Sequence, residues 1–185
     1  MSKVLKNKLP RITFSLQEAM NNQACQDGKE KFENYLIKNN IKYNNKTRFS
    51  LTLLLKSNSV SDFFWMLKNL DNVNIELSFK LSITVSKNAA YRAGAFVQES
   101  RVTNPYNAEM AVEAPAFRSA EYAKLAADCF DPSDAADAAG MAAAYAAYAQ
   151  RALAEYWEED VEQGDEAFLA EEQKQIDDIL TIIGE

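Results

Sequence analysis

The sequence predicts an all-α fold: stacked helical hairpins followed by long Ala-rich and acidic C-terminal helices. Three observations carry that prediction. Glycine (5) and proline (4) are scarce in 185 residues, whereas β-rich chains need many turns. Apolar residues recur every three or four positions in most segments, the spacing of one helix face. Ser, Thr or Asp stands before several of these segments, as a helix N-cap should.

Taken in order, Ser15 reads as an N-cap, and Glu18 three residues on completes a capping box ahead of "LQEAMNNQ". Gly28 interrupts, and "KEKFENYLIKNN" brings Phe32, Leu36 and Ile37 to helical spacing. After the loop "NNIKYNNKTRF", Ser50 is placed to cap "LTLLLKS", and Ser59 or Ser61 to start "DFFWMLKNL". Trp65 in that helix is expected in the core. These stretches match at an offset of 35 residues: Ser15-Leu16 with Ser50-Leu51, Asp27 with Asp62, Asn34 with Asn69. Identity is low, so chance similarity of two hairpins and a true duplicated unit both stand. In either case each unit has an apolar face it cannot bury alone, and the units should stack.

"IELSFKLSITV" alternates Ile75, Leu77, Phe79, Leu81, Ile83 and Val85. Period two argues for a strand. The pattern runs into Ala-rich sequence without a turn, and no partner strand is evident, so we take it as helix and keep strand as the alternative. Pro105 and Pro115 read as two helix starts, because proline suits a first helical turn. Asp131 and Pro132 start a long helix reaching about Glu159. A last helix, about Glu162 to Ile183, carries Phe168, Leu169, Ile176, Ile179, Leu180 and Ile183.

The long helix is the most monotonous part of the chain. Alanine favours helix most and lets neighbouring backbones approach. Met141, Tyr145, Tyr148, Ala152 and Tyr156 fall on one face. That stripe is expected to anchor the helix against the first half or the last helix. Its alternative is an exposed tyrosine ladder for a partner.

Charge divides the chain. Residues 1–92 hold 15 Lys+Arg and 7 Asp+Glu; residues 93–185 hold 5 and 20. No linker separates them, so we read residues 1–185 as a single helical domain: basic Asn/Lys-rich hairpins (1–92) with acidic Ala-rich long helices (93–185) packed on them. Nine acids lie between Glu155 and Glu172 with no Lys or Arg among them: Glu155, Glu158, Glu159, Asp160, Glu162, Asp165, Glu166, Glu171 and Glu172. A run of acids is usually a solvated face. Like charges one turn apart cost stability, though, and a basic surface would relieve that cost, whether the chain's own Lys-rich first half, another copy or a foreign protein. The candidate partner-binding residues are therefore Tyr156, Trp157, Glu155, Glu158, Glu159, Asp160, Glu162, Asp165 and Glu166. The fallback surface is the Lys/Asn-rich stretch from Lys38 to Arg48.

Absences narrow the chemistry. No histidine exists, so Ser-His and Cys-His nucleophiles, a His base and His metal ligands are excluded. No two glycines lie closer than 20 residues, so no glycine-rich phosphate loop is present. No cofactor or metal is expected. Cys25 and Cys129 are expected to be reduced and buried, as suits a cytoplasmic chain. No stretch approaches the roughly 18 apolar residues of a membrane span, and "MSKVLKNKLPRITF" lacks a signal peptide's apolar core.

"SLQEAMNNQACQDG", the residues Asp62, Trp65 and Leu67 in "SDFFWML", and the repetitive "AAAYAAYA" together resemble small phage and bacterial immunity proteins, those with an immunity-protein-like domain. The Asn/Lys-rich first half and the strong acidity after Glu155 depart from that pattern. The resemblance implies a binder that neutralises a toxin or nuclease, and places Trp65 as a packing residue. It supplies no catalytic residues. Three functions follow: a non-enzymatic inhibitory binder (toxin immunity or phage anti-defence) that blocks a basic effector surface; a scaffold that self-associates head to tail through opposite charges; and, disfavoured by the residue inventory, a carboxylate enzyme. The implied partner is a basic protein or another copy, with no membrane and no direct nucleic-acid binding by the acidic half.

Overall fold

The computed structural model describes residues 12–71, 73–103, 108–158 and 161–184. Among them the fold is all-α with one minimal sheet. Strand β1 (Thr13–Phe14) leads into helices α1 (Leu16–Asn21) and α2 (Gln26–Lys38). Strand β2 (Phe49–Ser50) leads into α3 (Leu51–Leu54) and α4 (Val60–Lys68). Four longer helices follow: α5 (Ile75–Thr103), α6 (Ala108–Asp128), α7 (Pro132–Glu158) and α8 (Val161–Ile183). None of the described helices is long and apolar enough to cross a membrane.

The 35-residue offset reappears in space. Each unit is a short strand, a short helix and a longer helix, and the matched residues Phe14 and Phe49 face each other across an antiparallel pair. Both units begin their first helix with serine. Ser15 accepts from the Glu18 backbone N–H at 3.2 Å, and Glu18 reaches back to the Ser15 N–H at 2.8 Å. Ser59 and Asp62 form a second such box. Ser50 holds the N-cap position of α3 without a side-chain cap bond; its hydroxyl lies 2.7 Å from that of Thr52.

Residues 75–85 are helical, and the burial pattern shows why. Leu77-Ser78, Leu81-Ser82 and Val85-Ser86 are the buried pairs, spaced four apart. Ile75, from the same alternating set, is exposed. Small serines complete a helix face that a count of apolar residues alone divides in two. The bounds of α7 and α8 lie within a residue of those predicted. Gly184 closes α8 in the left-handed region, at φ 85°, donating to the Leu180 carbonyl at 2.9 Å.

Pro115 does not start a helix. It lies inside α6, where an interior proline costs about 3 kcal/mol. Buried Ala116, Ser119, Ala123 and Ala126 beyond it hold the helix against its neighbours and offset that cost. Pro105 lies outside the described residues.

Helix α7 is the axis of the molecule and packs against α4, α5, α6 and α8. One core joins both halves of the chain: Phe14, Phe32, Phe49, Phe63 and Phe64 meet Leu81, Val85, Ala139, Ala143 and Ile179. Among the described residues a second buried cluster, of Ala89, Ala93, Ala116, Ala146 and Ala149, lies among α5, α6 and α7. Three neighbours also hydrogen-bond to the α7 backbone. Ser61 of α4 donates to the Gly140 carbonyl at 3.2 Å, Ser119 of α6 to Ala142 at 2.8 Å, and Gln175 of α8 to Ala143 at 3.1 Å. Gly140 permits the closest approach: a Cβ there would sit 3.3 Å from Phe64 Cβ.

Candidate functional site

The predicted acidic surface centres on the turn between α7 and α8. Glu155, Tyr156, Trp157 and Glu158 belong to the last turns of α7, but their side chains are outside the described set. Glu159 and Asp160 lie outside the described residues altogether. Glu162, Asp165 and Glu166 are exposed on the first turns of α8. Acids there also face the positive end of the helix dipole. Asp165 is met by Arg151 of α7 at 3.2 Å.

Two acids of the run behave otherwise. Glu171, expected on the surface, is 0% exposed, and Glu172 is half-buried. The reason is Arg92, the last cation of the basic half. Its Nε donates to both Glu171 oxygens at 2.9 and 3.0 Å, and its Nη1 to Asp178 at 2.9 Å. Gln175 donates to Glu171 at 3.0 Å and Asn88 to Asp178 at 3.0 Å. Burial raises the Glu171 carboxyl above its ordinary 4.5, and outweighs the Arg92 charge and the Gln175 bond that lower it. Burial likewise raises Glu172. The group is a clamp between α5 and α8, with its charges directed at one another.

Among the described residues of the α7 stripe, Met141 and Tyr148 lie outward and Tyr145 is half-buried. Methyl groups of Ala139, Ala142, Ala143, Ala146 and Ala149 fill the buried side, while Met141 and Tyr148 are 41% and 50% exposed. Tyr145 stacks on Tyr122 of α6 with centroids 5.6 Å apart, and Tyr148 meets Phe168 of α8 at 5.5 Å. Packing of α7 against the first half therefore runs through alanine, and the tyrosines bridge to α6 and α8. In the fallback stretch, Arg48 is engaged by Glu18 at 2.6 Å and by the Thr13 carbonyl at 3.0 Å. Lys38, Lys42 and Lys46 are exposed.

Sequence reasoning missed a crevice of about 740 Å³ between α1, α2 and α4 on one side and α6 and α7 on the other. Phe14, Phe32 and Phe64 form its floor, and Trp65, Leu125 and Met141 its walls. Both cysteines open onto it. They are free thiols, as expected, but not buried ones: Cys25 is exposed at the start of α2, where its Sγ accepts from the Gly28 N–H at 3.3 Å, and Cys129 is half-buried. Trp65 is half-buried at the core's edge rather than inside it. The lining residues come from segments a hundred positions apart, and no local pattern marks them. Among the described residues, no three His, Cys, Asp or Glu side chains form a group that could hold a metal ion.

Compared with known proteins, the chain matches no family model, no curated protein and no solved structure. The likeness to immunity proteins rests on its short motifs alone.

Proposed function

We propose that the protein is a non-enzymatic inhibitory binding protein, of toxin-immunity or phage anti-defence type, that meets a basic effector surface with the acidic end of the α7–α8 hairpin. The observation that carries this reading is the exposure of Glu162, Asp165 and Glu166 at the start of α8, beside a turn whose sequence adds Glu155, Glu158, Glu159 and Asp160. Charges of one sign massed at one end steer a basic partner and make its association salt-sensitive. The absence of histidine and the pairing of Arg92 with Glu171 and Asp178 favour binding over catalysis. The short motifs shared with immunity proteins point the same way.

Self-assembly through opposite charges is the weaker reading. Lys68 already pairs with Asp137, and Arg92 with Glu171 and Asp178, so part of the opposition between the halves is spent inside one molecule. Reversing Glu158, Glu162 and Glu166 to lysine tests the proposal. Immobilised wild type should capture a basic protein from host lysate at low salt and release it at high salt, and the variant should not capture it. Equal capture by the folded variant would reduce the acidic end to a solvated face. A solution mass that rises as salt is lowered would instead favour the scaffold.

A further inference from the structure

We propose that the crevice between α1, α2 and α4 and the α6–α7 hairpin is a docking site for an amphipathic helical segment of a partner protein, one that inserts apolar side chains and carries Lys or Arg along its edge. The volume, about 740 Å³, falls within the ~300–1,000 Å³ of ordinary binding pockets. Apolar residues continue from the floor onto the walls, beneath a rim that is partly polar. Leu125 and Met141 are 53% and 41% exposed on its walls. Clustered exposure of this kind marks an interaction surface more than scattered apolar residues do.

Charge selects the occupant. Asp62, Asp134 and Asp137 line the crevice against one cation, Lys29. Lys29 lies 3.9 Å from Glu33, and Asp137 is paired with Lys68. Asp62 is held by the Ser59 N–H and hydroxyl and feels the charge of Lys31, so among the described residues Asp134 is the crevice acid without an ion-pair partner. An acidic edge around an apolar floor fits a helix with apolar anchors at every third or fourth position and basic residues between them, the helix-in-groove mode. An acidic segment would be repelled. This site stands apart from the acidic end proposed above: Met141 and Glu158 are separated by about 25 Å along α7, at about 1.5 Å per residue.

The probe is a fluorescein-labelled Leu/Lys amphipathic peptide of about 14 residues, or four helical turns. A Leu/Glu peptide and a Gly/Lys peptide of equal charge serve as comparisons. In full-length Trp157→Phe protein, where Trp65 is the one remaining tryptophan, the Leu/Lys peptide should shift the emission and slow alkylation of Cys25. The double variant Leu125→Lys/Met141→Lys, at two exposed positions, should keep the wild-type circular dichroism and lose at least about tenfold in affinity. Asp134→Asn should weaken binding at low salt. Reversal of Glu162 and Glu166, being distant, should change it by less than about threefold. Three results would overturn the proposal: equal binding by the Gly/Lys or Leu/Glu peptide; no loss in the double variant; or uptake of a small apolar dye alone, which would assign the crevice to a small molecule. A wild-type dimer that the double variant converts to monomer would assign it to a second copy, and overturn it too.

Discussion

Phe14, Phe32 and Phe49 pack one core of the molecule with aromatic rings, whereas the described residues of the other, Ala89, Ala93, Ala116, Ala146 and Ala149, pack it with methyl groups. The rings pack with centroids 5.2–6.0 Å apart and at steep angles, so single side chains there carry much apolar area. The alanine layer carries little per residue. It compensates by close helix approach, by serine and glutamine bonds to the α7 backbone, and by the Arg92 clamp. One end is stabilised by side-chain volume, the other by backbone proximity and polar ties. Substitutions should therefore fail in opposite directions: shortening harms the first, and lengthening harms the second.

The largest effect is expected from Phe32→Ala. It removes the ring that touches both Phe14 and Phe49, and should cost about 3–5 kcal/mol in denaturant unfolding. A cost below about 1 kcal/mol would mean that the aromatic end collapses around the cavity.

Arg92→Met should come next. It leaves Glu171 fully buried without its cation, and loss of one partner of a buried pair costs about 3–5 kcal/mol, somewhat less here because the Arg92 side chain is 20% exposed. Adding Glu171→Gln and Asp178→Asn should restore a substantial part. If the triple variant is no better than Arg92→Met, the arginine acts through its apolar stem and not its charge.

Ala146→Leu should cost about 1–3 kcal/mol by overpacking. The same change at Met141, on the outer face, should cost little. Equal effects at both positions would contradict the picture of a tight methyl layer.

The pH dependence separates the two ends as well. Glu171, raised above 4.5 by burial, binds its proton more tightly folded than unfolded. Its stabilisation is therefore complete below 4.5 and is lost as pH rises through the folded value. At the other end, burial would raise Glu18, but Arg48 and Ser15 together bring it below 4.5. Its contribution is present above 4.5 and is lost as pH falls through the folded value. Glu171→Gln should thus flatten the decline above 4.5, with Glu172 leaving a remainder. Glu18→Gln should flatten the acid limb. A Glu171→Gln profile parallel to wild type above 4.5 would count against a raised carboxyl.

The smallest effect compares two glycines inside helices. Gly94→Ala meets nothing within 4 Å and should gain up to about 1 kcal/mol of helix propensity. Gly140→Ala meets Phe64 Cβ at 3.3 Å and should forfeit that gain. A matching rise in thermal midpoint for both would show that α4 can back away from α7.

These contrasts also explain what was legible in the sequence. Ser15 with Glu18, Pro132, and the periodic Ile and Leu of α8 are local signals, and they placed those helices. A two-residue strand has no period, so β1 and β2 left no trace beyond the matched Phe14 and Phe49. The serines of α5 share its buried face, and a count of apolar residues passes over them. Glu171 looked like its exposed neighbours because its partner, Arg92, is 79 positions away. The crevice was illegible for the same reason, since Cys25, Trp65, Leu125 and Met141 become neighbours only through the packing of α4 and α6 on α7.

The two-sidedness of α7 has a consequence for how the protein can change over generations. Inward positions of α7 are mostly alanine, with buried Gln150 among them, and four helices pack against them. Outward positions such as Met141 and Tyr148 meet solvent or a single neighbour. Mutational drift is thus channelled onto one strip of one helix, the strip that borders the crevice at one end and the acidic turn at the other. That strip can change residue by residue while the packing beneath it is kept.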